Sequence, residues 1–246
     1  MTGALRLTVV VPAFNEGPRL PSAARRLLHY FDRAGIAAEV IVVDDGSTDG
    51  TRAALASVAD DRLVVVERPV NGGKGAALGE GVRRARGASI VCFDADLPYP
   101  LGAIATALDY LDRGAQLVAG ARDLHPDGRR EQPWARRLCA RALQRLTRDI
   151  VVGVPDTQCG FKAFDADTAR ALFAALTIDG FAFDVELLAL AQAWHLRIVR
   201  MPLAMTAQAG SSVVLVRDGT RMVRDILRIR AAMRARAARD LAPRPE

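Results

Sequence analysis

Apolar residues follow two rhythms along this chain. LTVVVPA (7–13), EVIVVDD (39–45), RLVVVER (62–68), SIVCFDAD (89–96) and QLVAGAR (116–122) are short, β-branched runs that are apolar nearly throughout. Their length and composition predict buried strands. Between the early runs the rhythm changes to three or four. Residues 18–34 place Leu20, Ala24, Leu27, Leu28 and Phe31 on one helical face, and 75–86 and 100–112 repeat the pattern. Strands apolar on both faces, alternating with helices, predict an α/β domain. Its central sheet is Rossmann-like and mostly parallel, with helices on both sides. In such sheets the ligand crevice lies beyond the carboxyl ends of the strands.

The second half is less regular. Residues 123–132 read as a polar, turn-rich connection. Residues 133–149 read as a basic amphipathic helix with Trp134, Leu138 and Leu146 along one side. An apolar helix is expected over 181–194 and a late strand over 196–203. From Arg217 to Arg239 eight arginines accompany Met222, Ile226, Ile229 and Met233, which are three or four apart. This divides the chain into a domain over 1–210 and a basic amphipathic C-terminal segment over 211–246. No internal repeat is visible.

Half of the 246 residues are apolar, enough for a sizeable core. No run of 18 apolar residues could span a bilayer, and the N-terminus lacks signal-peptide character. Three scattered cysteines without a CxxC pair indicate neither a disulfide framework nor a zinc site, so a reducing, cytoplasmic setting is expected. The net charge of +6 suggests an anionic partner. Nucleic acid is disfavoured: aromatics make up 5% of the chain and no recognised module is present. Lys74 and Lys162 are the two lysines among 34 basic residues, and both sit in glycine-containing stretches.

Chemistry concentrates at the strand ends. The second run stops at Asp44 and Asp45, and the fourth at Asp94 and Asp96. Residues two apart in extended chain face the same way, so Asp94 and Asp96 are expected to point together into the crevice. Mg²⁺ or Mn²⁺ takes one or two protein carboxylates and completes its shell with phosphates and water. A D-x-D there suits a metal-bound nucleotide diphosphate. Asp44 and Asp45 also fit turn-forming or capping roles. The stretch NGGKGAAL (71–78) places a glycine turn before a helix, where backbone amides are able to receive a phosphate. It is not a Walker A loop, because Gly75 follows the lysine.

VVVPAFNE, VVDDGSTDGT, NGGKGAAL and FDADLP, in this order and spacing, resemble glycosyltransferase family 2 with the GT-A fold. GAR (120–122), DTQCGFKAF (156–164), FAFDVELL (181–188) and MVRDILRIR (222–230) resemble the branch that makes dolichyl- or polyprenyl-phosphate sugars. The resemblance implies a nucleotide-sugar half over about 1–100 and an acceptor half over about 101–210. Pro12, Ala13, Asn15, Glu16 and Asp45 would line the base and ribose, with Lys74 near the nucleotide. Asp94 and Asp96 would hold it through Mg²⁺ or Mn²⁺. Arg122, with Arg136 or Arg137, would grip the acceptor phosphate. Asp156, Gln158 and Lys162 would border the sugar and acceptor, with Asp184 and Glu186 behind them. Two places depart from the family: Pro98 and Tyr99 follow Leu97 where a glutamine is common, and MTAQAGSSV (205–213) has no tryptophan and has Ser212 where a lysine is expected.

The expected activity is a metal-dependent, inverting transfer of a hexose, glucose favoured, from a nucleotide diphosphate sugar, UDP-glucose favoured, to a polyprenyl phosphate. An acceptor that is already anionic needs no strong base; if one acts, Asp156 is the first candidate and Asp184 the second. The alternatives are GDP-mannose as donor, a non-lipid acceptor, an inactive nucleotide-binding adaptor, or a nucleic-acid-binding protein. The basic amphipathic segments are expected to hold the protein peripherally on an anionic membrane, at its inner face.

Overall fold

A computed structural model describes residues 4–127, 134–205 and 215–240. The strands are β1 (Leu7–Ala13), β2 (Ala38–Asp45), β3 (Leu63–Arg68), β4 (Ser89–Cys92), β5 (Leu117–Ala121), β6 (Lys162–Asp165) and β7 (Ile198–Pro202). The helices are α1 (Leu20–Ala34), α2 (Thr51–Leu55), α3 (Lys74–Arg84), α4 (Ala103–Asp112), α5 (Trp134–Thr147), α6 (Ala166–Ala175), α7 (Phe183–Ala193) and α8 (Leu215–Asp240). The strands form one seven-stranded sheet in the order β3-β2-β1-β4-β6-β5-β7. All pairings are parallel except those of β6, which runs antiparallel to β4 and β5.

Alternation along the strands builds two cores. Val10, Ile41 and Val43 face one side, under Leu78 of α3, Leu172 of α6, Leu187 of α7 and Ile226 of α8. Val9, Val11, Val40 and Val42 face the other, under Leu27 of α1 and Ile104 of α4. A strand covered on both faces has no place for a solvent-facing residue, which is why these runs are apolar without a break. Helix α1 shows the local logic. Pro21 opens it, and Gly35 closes it at φ 63° with its N–H turned back to Phe31 and Asp32.

The C-terminal segment is bolted to the domain. Ile226 and Ile229 lie in the core. Arg230 Nη2 donates to the Leu146 carbonyl at 2.6 Å and to Asp149 at 2.8 Å, closing the end of α5. The Arg236 guanidinium sits 5.7 Å from the Trp194 ring centroid.

Two expectations change. The strand expected over 89–96 ends at Cys92, so Asp94 and Asp96 lie past it. The four-residue β6 was not anticipated. Its place in the sheet comes from its neighbours: Cys92 on β4 and Ala119 on β5 both pair with Lys162.

Candidate active site

The crevice forms where β1, β2, β4 and β5 end and β6 begins. Two loops meet over its first part. The Asn15 N–H donates to Ser47 Oγ at 2.9 Å, and the Asn15 side chain accepts from the Thr48 N–H at 2.9 Å. The Glu16 N–H donates to Thr51 Oγ1, and the Gly17 N–H to Asp49. Asn15 adopts φ 57°, a left-handed conformation that asparagine tolerates better than most residues. Pro12 and Ala13 close β1 beneath these contacts.

The adjacent pair at the end of β2 divides its work. Asp44 accepts from the Ser47 N–H at 3.0 Å, forming a turn. Asp45 accepts from Arg68 at 2.8 Å and from the Gly72 and Gly73 N–H groups at 3.0 and 2.8 Å. Its oxygens thus hold the glycine turn in place. Beyond Lys74, the amides of Gly75 and Ala76 donate to the Asp179 carbonyl at 2.8 and 3.3 Å. Four amides of this turn, those of Gly72, Gly73, Gly75 and Ala76, thus serve Asp45 and Asp179 rather than standing open to a phosphate. The glycines have a steric cause. Gly73 has φ 101°, and a Cβ there would lie 2.6 Å from the Asp179 carbonyl oxygen.

What the turn presents is the Lys74 side chain. Its Nζ lies 2.6 Å from Asp94. Burial pushes the ammonium's pKa down, but Asp94 and Asp184 outweigh that and hold it charged. The extended D-x-D is also corrected. Asp96 falls in a turn, followed by Leu97 at φ 45°. The two carboxylates still share one place. The Asp96 carboxyl is raised from its ordinary value by burial and then by the charge of Asp94. Glu16 is raised by burial, with Asp96, Asp49 and Asp94 adding to the effect and Arg19 opposing it. Glu16, Asp49, Asp94 and Asp96, from the loops after β1, β2 and β4, thus act on one another electrically, whereas Asp45 is engaged by Arg68 and the glycine turn.

This donor set fits a hard divalent cation. It is oxygen-only, and its members raise one another's affinity for positive charge. Among the described residues, no group of three or more His, Cys, Asp or Glu is placed to hold a metal unaided. The fit is to a cation whose shell a diphosphate completes.

The far wall is the loop before β6. Asp156 is gripped by Arg122, which donates from its backbone N–H at 3.0 Å, from Nε at 2.8 Å and from Nη2 at 2.7 Å. Lys162, fully inside, donates from Nζ to Asp184 at 2.5 Å and to the carbonyls of Cys159 at 2.8 Å and Thr157 at 3.3 Å. Burial raises Asp184, with Lys162 and Lys74 pulling it back. Both carboxylates weighed as bases therefore face a cation already. Glu186 accepts from Thr177 and from the Ile178 N–H, shaping the loop that carries Asp179. Arg136 and Arg137 lie on α5, but their side chains fall outside the described residues.

Three neighbours escaped the sequence reading. The Tyr99 hydroxyl accepts from the Gly160 N–H at 3.2 Å, with its ring against Phe93 and Phe161. Gly160 is where the loop presses on Asp94, since a Cβ there would overlap that carboxylate. Cys92 lies under the cluster as a neutral thiol, pushed up to about 12 by burial. The glycine after Cys159 and the tyrosine after the D-x-D were visible, but nothing in their spacing paired them.

The comparisons with known proteins bear on the family and the fold. The model of "Glycosyl transferase family 2" matches residues 8–173. The dolichyl-phosphate beta-glucosyltransferase of Mus musculus is 34% identical over 92% of this chain and 75% of its own length. That of Homo sapiens is 32% identical with the same coverage. Glucosyl-3-phosphoglycerate synthase from Mycobacterium tuberculosis, solved with Mn²⁺, UDP and glucosyl-3-phosphoglycerate, superposes with a TM-score of 0.66. It is 22% identical, covering 94% of this chain and 79 to 82% of that chain across its structures. An acidic crevice at the carboxyl edge of a mostly parallel sheet, joined to a family match over two thirds of the chain, makes this protein a glycosyltransferase of family 2 with the GT-A fold.

Proposed function

We propose that the protein transfers glucose from UDP-glucose to a polyprenyl or dolichyl phosphate, with inversion at C1. The observation that carries this reading is the meeting of two groups of charge: the carboxylates with Lys74, and Arg122 oriented by Asp156, whose guanidinium acts on Asp94. The relatives' names favour glucose and a lipid phosphate.

Asp94 and Asp96 would hold Mg²⁺ or Mn²⁺, which supplies charge neutralisation to the departing diphosphate. Glu16, Asn15, Pro12, Ala13 and the loop tied by Asp45 shape the nucleotide end. Lys74 adds a second positive charge there. Arg122 faces the acceptor phosphate, with Arg136 or Arg137 and Lys162's loop beside it. An oxygen of that phosphate attacks C1 of the hexose as the bond from C1 to the β-phosphate oxygen breaks. The nucleophile is ionised at neutral pH, so no proton has to be removed and Asp156 acts by orienting Arg122. The protein's largest contribution is electrostatic: positive charge fixed in advance where the leaving group gains negative charge.

Access to a lipid acceptor is assigned to α8. Among the described residues no helix is long and apolar enough to cross a membrane. Val223 and Leu227 stand 46% and 50% exposed on its outer face. Arg221, Arg224 and Arg228 flank them, sharing the buried Asp225 at 3.6–3.9 Å. Each arginine near an anionic leaflet contributes about 1 kcal/mol, so peripheral attachment at the inner face of the cell membrane follows. The protein is expected to pellet with anionic liposomes at low salt, and Val223→Ser with Leu227→Ser to stay in the supernatant.

The activity test is incubation with labelled UDP-glucose and GDP-mannose, each with a short polyprenyl phosphate. Labelled glycolipid is expected from UDP-glucose, lost with EDTA and reduced about 100- to 1000-fold by Asp96→Ala. Label released only as free sugar would overturn the lipid acceptor, and glycolipid only from GDP-mannose would overturn the donor.

A further inference from the structure

Both oxygens of the Asp94 carboxylate are engaged. Oδ1 lies 2.6 Å from Lys74 Nζ. Oδ2 lies against Gly160, where an added Cβ would overlap it. Asp96 differs, because Arg19 and Lys74 act on it only through their charge, against burial and the charge of Asp94. The paired side chains are open to solvent, Lys74 at 20% and Asp94 at 28% exposure, so ions from outside reach them. A divalent cation taken up on Oδ1 would face an ammonium held by the same atom, and like charges that close repel strongly. Asp94 therefore serves Lys74 or a divalent cation, one at a time.

The surroundings decide which member gives way. The backbone of Lys74 is fixed from both sides. The Gly72 and Gly73 amides donate to Asp45, and those of Gly75 and Ala76 to the Asp179 carbonyl. Asp94 is confined by Gly160. The lysine stem, a flexible chain ending in a point charge, is the part that turns. Burial works against the ammonium, so on leaving Asp94 it needs another anion beside it. A diphosphate entering the crevice is such an anion.

We propose that Lys74 bars Asp94 to a divalent cation until a nucleotide diphosphate draws the ammonium away. Asp94 then exchanges a lysine for the metal as Lys74 exchanges a carboxylate for the diphosphate. The inference rests on the proposed reading of the crevice and adds a coupling to it. Cation and nucleotide enter together, and by linkage each strengthens the other by the same factor.

The test is Mn²⁺ binding, read from the electron paramagnetic resonance of free Mn²⁺, with and without UDP. It compares the wild type, Lys74→Met and Arg19→Gln. Lys74→Met removes the ammonium and keeps the stem. It is expected to bind Mn²⁺ alone about tenfold more tightly than the wild type. UDP is expected to strengthen Mn²⁺ binding by about 10- to 100-fold in the wild type, and about tenfold less than that in Lys74→Met. Arg19 pairs with Glu16 and acts on Asp96 by charge alone. Arg19→Gln is therefore expected to change Mn²⁺ binding by less than about threefold.

Mn²⁺ affinity unchanged or lower in Lys74→Met would overturn the proposal. So would an equal gain in Arg19→Gln, which marks a general effect of charge, or a wild type that binds Mn²⁺ equally well with and without UDP. If Lys74→Met fails to fold, Lys74→Gln is measured in its place, and failure of both overturns the proposal by making Lys74 structural. A wild type that binds neither Mn²⁺ nor UDP removes the proposed function, and this inference with it. A wild type that binds both, beside a Lys74→Met without gain, removes only the inference.

Discussion

The two halves of the sheet reach the same crevice in opposite ways. In β3-β2-β1-β4 every strand is parallel, so each delivers its C-terminal end, and carboxylates arrive as strand terminators. In β6 the direction is reversed, so the strand delivers its beginning. Lys162, its first residue, sits between Cys92 and Ala119 in the middle of the sheet. The first half supplies negative charge at turns, near solvent and tolerant of a cation. The second half supplies a buried cation, Lys162, against a buried Asp184. The difference teaches that one antiparallel strand lets a long-range loop reach the carboxylates beyond the parallel strands, Gly160 lying against Asp94.

The most severe way to break this contrast is Lys162→Met. It leaves Asp184 buried beside one remaining cation, Lys74, and frees the carbonyls of Thr157 and Cys159. Loss of a partner in a buried pair costs about 3–5 kcal/mol, so a large fall in melting temperature is expected by calorimetry. The equivalent loss in the first half is smaller, because Asp96 and Glu16 are partly solvated.

Gly160→Ala sharpens the contrast by touching both halves at one point. The added methyl meets the Asp94 carboxylate. Displacing a group in the reacting geometry by a fraction of an ångström costs about 10- to 100-fold in kcat. The melting temperature is expected to move little. Unchanged kcat would show that the contact between the halves carries no function.

Glu39→Gln is the mildest and serves as the control at the opposite edge of the sheet. Glu39 begins β2 as Asp45 ends it. It accepts from Thr8 at 2.8 Å and from the Arg86 backbone and guanidinium at 2.6–2.9 Å. Burial pushes its carboxyl up, but the bonds from Arg86 and Thr8 outweigh that, and the pKa falls below the ordinary 4.5. A lowered folded-state pKa gives stability that is complete above about pH 4.5 and lost as pH falls through the folded value. Glu39→Gln is expected to cost about 1–2 kcal/mol at pH 7 and to flatten the acid limb of a melting-temperature profile. Transfer by the folded variant should match the wild type. Altered kcat would contradict the separation of the two edges.

Legibility in the sequence followed the same divide. The strands from 7 to 68, the helix α1 and the acidic ends were readable because each is a local pattern that burial enforces. The D-x-D was readable as chemistry but not as geometry, since the left-handed Leu97 that turns the chain has no sequence mark. The role of Asp45 was open, because its partners Gly72 and Gly73 come 27 and 28 residues later. The acceptor of the Gly75 and Ala76 amides, Asp179, lies more than 100 residues further along the chain. KAFD (162–165) gave no strand signal, having four residues and a lysine at its head. The short α2 was missed for a similar reason, since five residues carry little periodicity, and α6 was not anticipated.

By itself the sequence determined that this chain folds into an α/β layer structure, that acidic groups end its strands, and that its motifs are those of a sugar-transferring family. Periodicity and burial act residue by residue, so they are written locally. Only the tertiary structure decided which carboxylates stay available to a cation and which are taken up by the protein's own amides and cations. That choice depends on groups tens to a hundred residues apart in the chain, brought within 3 Å by the order of the strands.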